Sequence, residues 1–310
     1  MNRNLFNAQT DARVAASPES APPEHAPPPA HTPTPAASAP HVSVAAPPTR
    51  TPAPKPPTLV NYLHSALAIP LIYLYTIVMG TLSLVVSFFD PRGRRQHACA
   101  QVWSRMIART AGARVRVHGA EQIRPGVSYV FLSTHQSYMD IPAMLGYLPA
   151  QLRIAAKKEV FQIPFLGWHM RRAGHISIDR SSTADAVESL RRASSGIREG
   201  ICAFIYPEGT RSRDGSLQSF KKGGFKLAMQ AKVPVVPITI VGSRQVLPRD
   251  SIIFRPGRIE MYVDAPMPTD GLDEGDLPRL MDEVRAAMLR HFDGSQTDAA
   301  APSAEDSAHA

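Results

Sequence analysis

Two short stretches hold the side chains best suited to chemistry. The first, "STHQSYMDI" (133–141), places His135 and Asp140 directly after the apolar run "VSYVFL" (127–132). Within one continuous helix a spacing of five would set these side chains about 140° apart, and they would not meet. With His135 in a loop and Asp140 in the first turn of the next helix, the chain reversal brings carboxylate to imidazole. Such a pair holds one tautomer, leaves the other ring nitrogen free to take a proton, and steadies the imidazolium that results. The same residues equally fit an acid in a helix first turn beside a polar loop histidine. The pair by itself leaves both readings open.

The second stretch is "FIYPEGTRSRDG" (204–215), where an expected strand runs into a turn. Gly209 lets the backbone approach a ligand closely. Arg211 carries the fork that grips a phosphate, and Thr210, Ser212 and main-chain N–H groups add donors. Lys221, Lys222 and Lys226 follow in "SFKKGGFKLA" (219–228), around an expected helix start. A solvated turn with a basic face is the competing reading. Between the two stretches, "AAKKEVFQIPFLGWHMRRAGHISIDR" (155–180) reads as an amphipathic run punctuated by Gly167 and Gly174. Phe161, Phe165, Leu166 and Trp168 could line an apolar groove, but most are expected in the core. His169 and His175 lack an HExxH or CxxC context, so they read as packing or surface residues and no metal site is expected. No G-x-S-x-G elbow, P-loop or G-x-G-x-x-G is present. With no nucleophile beside His135, attack by a substrate's own hydroxyl is more economical than a covalent acyl-enzyme.

Elements able to position these residues follow residue 113. Strand-like runs are "RVRVHG", "VSYVFLS", "LRIAAK", "GICAFIYP", "PVVPITIVG" and "RIEMYVD". Helical patterns fall near 138–147, 160–172, 183–199, 219–231 and 273–292. Apolar strands separated by amphipathic helices predict an α/β fold, a mostly parallel sheet flanked by helices on both faces. Ligands in such folds collect at the carboxyl ends of strands, where both polar stretches begin.

Composition sets the limits of that domain. Residues 1–57 hold about half of the chain's 30 prolines among Ala, Ser and Thr, and too few large apolar groups to offset the entropy of ordering. They are expected to form a disordered arm, with 294–310 a shorter disordered tail. The folding material is 58–112, a membrane-associated helical segment, and 113–293, the chemical domain. The net charge of +8 concentrates between the tails, which suggests an anionic partner: nucleic acid, acidic lipid, a phosphorylated substrate or an acidic carrier protein. Cys99 and Cys202 are far apart and read as reduced thiols.

From Ser65 to Phe89 the chain carries no charged residue. As a helix it would reach roughly 37 Å, more than the ~30 Å hydrocarbon core. Arg92, Arg94 and Arg95 follow at once, which favours the cytoplasmic side for what comes next. In 94–112, Val102, Trp103, Met106 and Ile107 share a helical face with Arg105 and Arg109 turned elsewhere, as in an interfacial helix. A spanning anchor and a shallow hairpin in one leaflet are both compatible with this.

The ordered set "HQSYMD", "GHISIDR", "YPEGTRS" and "VPVVPITI" closely resembles the four blocks of the glycerolipid acyltransferase family, over roughly 113–264. It is most similar to the 1-acyl-sn-glycerol-3-phosphate acyltransferases. The resemblance implies transfer of a fatty acyl group to the sn-2 hydroxyl of lysophosphatidic acid, giving phosphatidic acid for phospholipid biosynthesis. The acyl donor would be acyl-CoA or acyl-carrier protein, a co-substrate; no further cofactor, metal or nucleic acid has a part. It implies His135 as general base and Asp140 as its orienter. Glu208, Gly209, Thr210 and Arg211 fall in the acceptor-phosphate block, Arg180 in a second substrate-binding block, and Pro237 in the fourth. The expected place is the cytoplasmic membrane, with the chemical domain on its cytoplasmic face. Thr134 stands where many members have Asn, which bears on acceptor choice. Two rival readings are an acyltransferase for another lyso-lipid, such as lyso-ornithine lipid, and a membrane-tethered thioesterase or hydrolase in which His135 activates water. A non-catalytic lipid-binding module fits less well, since binding alone needs no oriented base.

Overall fold

Strand β2 (Val130–Ser133) lies near the middle of the sheet and is buried on both faces. Its side chains alternate: Val130 and Leu132 enter one apolar cluster, Phe131 the other, as period-two geometry demands. The computed structural model describes residues 50–90, 92–163, 166–179, 189, 194, 197 and 200–298, with side chains to 292. Both predicted disordered tails, apart from 50–57 and 294–298, lie outside that set. So do Arg180, Phe165 and nearly all of the helix expected at 183–199.

The other strands are β1 (Ala113–His118), β3 (Gln151–Lys157), β4 (Ile176–Ile178), β5 (Ile201–Ile205), β6 (Val235–Val241) and β7 (Gly257–Val263). They form one seven-stranded sheet in the order β1-β7-β6-β2-β5-β3-β4. Neighbours run parallel except β6 and β7, so the predicted mostly parallel sheet is present. One cluster packs α2 (Arg94–Thr110) and α3 (Asp140–Tyr147) onto one face through Ala108, Met144, Phe131 and Phe204. The opposite cluster holds α5 (Gly223–Ala231) and α7 (Leu277–Asp298) through Phe225, Leu227, Val284 and Met288. Two shorter helices are α4 (Leu166–Arg172) and the single turn α6 (Ser243–Val246).

Several expectations change in detail. β4 pairs with β3 inside a stretch read as one amphipathic run; three residues at a sheet edge are too few to show a period. The helix expected at 160–172 divides into a 3-10 turn, Lys158–Gln162, and α4. Phe161 is buried, but Leu166 and Trp168 are exposed, not core. Ile107, expected to face lipid, is buried in the core cluster. Residues 50–57, placed in the disordered arm, are described; Thr51 is 3% exposed.

The helix expected to meet the membrane is α1 (Leu59–Val86), capped by Thr58 and Asn61 in a reciprocal capping box. Together with the turn to Phe89 it is long and apolar enough to cross a bilayer. Its inner stripe is small and polar, with Ser65, Ala68 and Ser83 buried, while Leu67, Leu71, Leu74, Val78 and Leu82 stay exposed. The Phe254 N–H donates to Ser65 Oγ at 2.8 Å, and Arg172 donates to the Ser87 hydroxyl and carbonyl. Both ends of α1 are thus tied to the α/β domain, and α2 lies alongside, with Trp103 Nε1 donating to Thr76 Oγ1 at 3.1 Å.

Where α1 turns into α2, Asp90 Oδ2 accepts the Gln96 N–H at 3.0 Å, and Arg153 donates to the Arg92 carbonyl at 2.9 Å. His97 is buried here. Burial first, and then the Arg153 charge, hold its pKa at about 4. An imidazole that takes a proton near 6.5 when unfolded, but resists it when folded, favours unfolding as acid is added. The stability linked to His97 is therefore complete above pH 6.5 and is lost as pH falls towards 4, by up to ~1.4 kcal/mol per pH unit. Melting temperatures between pH 7.5 and 4.5 should decline more steeply for the wild type than for His97→Gln. Parallel declines in the two proteins would remove His97 from this account.

Candidate active site

β2 and β5 are parallel neighbours with Leu132 opposite Ile205, so the loops leaving their carboxyl ends emerge side by side. The loop after β2 reverses at once into α3, whose first residue is Asp140. Asp140 is fully buried. Its Oδ2 accepts from His135 Nδ1 at 2.8 Å, from the Gln136 N–H at 2.8 Å and from the Ser137 N–H at 2.9 Å. One carboxylate oxygen therefore both folds the loop and orients the imidazole. The loop-then-helix geometry that lets a spacing of five meet is the one present. A proton on Nδ1 faces Asp140, and Nε2 is left able to accept one. The ring is 14% exposed and stacks on Tyr206, with centroids 3.6 Å apart.

Glu208 closes the site from the β5 side. Its Oε1 accepts the His135 N–H at 2.8 Å and its Oε2 the Gln218 N–H at 3.1 Å. The Ser212 N–H returns a bond to the His135 carbonyl at 2.8 Å. Glu208 is 4% exposed, and burial pushes its carboxyl up to about 7, against the pull of the two main-chain donors. Glu208 thus grips the main chain of the loop that carries His135.

The turn carries its cations beside that loop. The Arg211 guanidinium sits over the Tyr138 ring at 3.6 Å, a stacking that suits a delocalised cation. One Arg211 nitrogen donates to the Arg249 carbonyl at 2.9 Å, and Arg249 donates back to the Arg211 carbonyl. The rest of each fork can serve an anion. Gly209 has φ +73°, and a Cβ there would press on the Lys221 side chain at about 3.0 Å, so glycine lets the lysine stem lie over the turn. Thr210 is exposed at its tip.

Other expected donors sit elsewhere. Ser212 is buried and its hydroxyl accepts the Gly215 N–H at 3.0 Å within the loop. Lys226 pairs with Glu274 at 2.8 Å, towards the α7 side. Pro237 is a buried residue of β6 opposite Leu132, its carbonyl accepting the Asp264 N–H at 3.1 Å. Thr134 exchanges bonds with Ile240 in the sheet, accepting at 2.9 Å and donating at 3.4 Å; it faces β6, away from the loop's mouth. Tyr206, Tyr138 and Arg249 went unnoticed in the sequence. Tyr206 had a signal, being the residue between strand and Pro-Glu-Gly; Arg249 had none, since it lies 38 residues from Arg211.

Asp140→Asn should lower kcat by about 10²–10⁴-fold, the range expected when an oriented base loses its partner. KM for either substrate should stay within about twofold. Glu208→Gln keeps the shape but cannot accept two N–H groups as a carboxylate does. It should slow kcat by about ten- to a hundredfold through misplacement of the loop, and a rise confined to the acceptor KM would instead make Glu208 a binding group.

A family model described as Acyltransferase matches residues 114–241. The 1-acyl-sn-glycerol-3-phosphate acyltransferase alpha of Bos taurus is 38% identical over 188 residues, covering 60% of this chain and 66% of its own. The Homo sapiens protein of that name is 37% identical with the same coverage. The chloroplastic acyltransferase LPAT1 of Arabidopsis thaliana is 34% identical over 211 residues, 67% of this chain and 57% of its own. The chain thus spans just under two thirds of the mammalian relatives. A solved structure, the 1-acyl-sn-glycerophosphate (LPA) acyltransferase PlsC of Thermotoga maritima, superimposes with a TM-score of 0.66 at 26% identity, over 77% of this chain and 97% of that one. The matched residues include the strands that lead to His135 and Glu208, and the solved structure shares the fold around them: residues 114–241 form a domain of the acyltransferase family.

Proposed function

We propose that this chain transfers a fatty acyl group from acyl-CoA or acyl-carrier protein to the sn-2 hydroxyl of lysophosphatidic acid, giving phosphatidic acid. The observation that carries the reading is the His135–Asp140 pair set beside the Arg211 turn, where a base and a phosphate grip share one mouth. The relatives' names supply the substrate class. His135 Nε2 takes the hydroxyl proton as the oxygen attacks the thioester carbonyl, and Asp140 steadies the imidazolium. When the tetrahedral intermediate collapses, the C–S bond breaks, and the thiolate takes the proton from Nε2. The ester remains on the acceptor and the imidazole is neutral again. Arg211, with Arg249 and Lys221 near, receives the acceptor phosphate.

Membrane association follows from α1, and its attachment suggests how. Ser65 and Ser87, both bonded to the α/β domain, are separated by roughly 33 Å of helix. A perpendicular crossing would draw α2, with Arg94, Arg95, Arg105 and Arg109, into hydrocarbon. We infer that α1 lies along one leaflet, with its leucine face in lipid. Phe88, Phe89, Leu166 and Trp168 are exposed near its end, and tryptophan favours the membrane interface. The arginines after Phe89 favour the cytoplasmic side, and we infer that the site works on the cytoplasmic face of the cytoplasmic membrane.

Membranes containing the protein, supplied with labelled acyl-CoA and lysophosphatidic acid, should form labelled phosphatidic acid, and His135→Ala should not. Free fatty acid as the main product would replace transfer by hydrolysis. Arg211→Ala should raise the acceptor KM about tenfold or more, as loss of a charge-assisted phosphate contact does; an unchanged KM would remove Arg211 from phosphate binding.

A further inference from the structure

The segment just before α1 reaches into the loops that hold the base. Thr51 lies in a stretch whose composition marks it as unstructured, and outside the residues matched by the family model, yet it is 3% exposed. Its N–H donates to the Gly215 carbonyl at 3.0 Å, and its hydroxyl donates to Gln136 Oε1 at 2.9 Å. Gln136, the residue after His135, is 1% exposed, and its Nε2 donates to the same Gly215 carbonyl at 3.2 Å. Arg244 and Gln245 hold the Pro52 carbonyl at 3.0 and 3.1 Å. Gly215 has φ +86°, and a Cβ there would stand about 2.6 Å from the Thr51 hydroxyl, so the loop leaves room for this segment only as glycine. The exposed Arg50–Asp214 ion pair, 3.2 Å, adds little, as surface pairs do.

We propose that residues 50–52 are a strap belonging to the active site, with Thr51 a positioning residue that acts on His135 through Gln136. The bonds close a ring around the loop: the His135 carbonyl accepts from Ser212, the Ser212 hydroxyl from Gly215, the Gly215 carbonyl from Thr51 and Gln136, and Gln136 adjoins His135. The Gln136 N–H also donates to Asp140 Oδ2, so the strap holds the same residue that helps hold the orienter. Asp140 bonds the Gln136 main chain and Thr51 its side-chain amide. Without the threonine hydroxyl a buried amide oxygen loses its donor, and the loop is free to shift by the fractions of an ångström to which proton transfer is sensitive.

The inference rests on the acyl-transfer reading for its kinetic readout alone. In the full-length protein, Thr51→Val keeps the shape and removes the hydroxyl, while Thr51→Ser restores it. Thr51→Val should lower kcat about tenfold, with both KM values little changed and a melting temperature lower by a few degrees, since a buried amide oxygen is left unpaired; Thr51→Ser should recover both rate and melting temperature. Hydrogen exchange of residues 133–140, followed by mass spectrometry, should quicken in Thr51→Val and return to normal in Thr51→Ser. An unchanged kcat together with unchanged exchange would overturn the proposal. Equal losses of rate and melting temperature in both variants would also overturn it, since that is the mark of a general packing role. A wild-type protein that transfers no acyl group would count against the acyl-transfer reading, and the exchange comparison would still decide the role of Thr51.

Discussion

Everything at this site hangs on one buried oxygen. Asp140 Oδ2 takes the imidazole Nδ1–H and two consecutive main-chain N–H groups, so this oxygen is solvated by the loop it shapes. A charge with no exposed surface is tolerable only when hydrogen-bonded. The requirement works in both directions: the loop must curl to satisfy the charge, and once curled it presents His135 outward. The sheet supplies the rest by register. Because β2 and β5 are adjacent and parallel, Glu208 arrives where it can take the His135 N–H. His135 is therefore gripped at its ring from the start of α3, and at its N–H and its carbonyl from the turn after β5. That rigidity suits a group whose work depends on where one nitrogen points.

The α1 helix serves two environments with two faces. Its outer face is leucine-rich, and its inner stripe of Ser65, Ala68 and Ser83 lets α2 and the domain approach closely. A narrow stripe of small residues scarcely dents the hydrophobicity of the whole segment, so the sequence shows a membrane helix and hides its attachment to the domain. In the orientation proposed above, the bonds at Ser65 and Ser87 hold the α/β domain against the helix that lies in lipid, and a lyso-lipid acceptor would reach the site from that same leaflet.

The sheet and the His135–Asp140 contact were legible because both write themselves into local pattern. Apolar runs such as 127–132 and 235–241 declare buried strands, and a polar stretch directly after one marks a strand's carboxyl end. Relations between distant residues were illegible. Nothing at Glu208 says that its carboxylate turns inward to the main chain at 135 and 218, and nothing in the basic run at 219–228 separates Lys221, lying over Gly209, from Lys226, paired with Glu274. Thr51 is the extreme case: the composition around it argues for disorder, and its bonds go to residues 85 and 164 positions away. β4 was missed for a simpler reason, since three residues cannot display a period.

The central claim is that His135 and Asp140 act as one unit, with the carboxylate working only through the imidazole. A double-mutant cycle tests this directly. Initial rates of phosphatidic acid formation would be compared for the wild type, His135→Ala, Asp140→Asn and the double variant, all at saturating donor and acceptor. The account predicts that the double variant is no slower than His135→Ala alone, because an orienter without its base has nothing left to do. Losses that multiply in the double variant would show Asp140 acting independently of His135, and the account would be wrong.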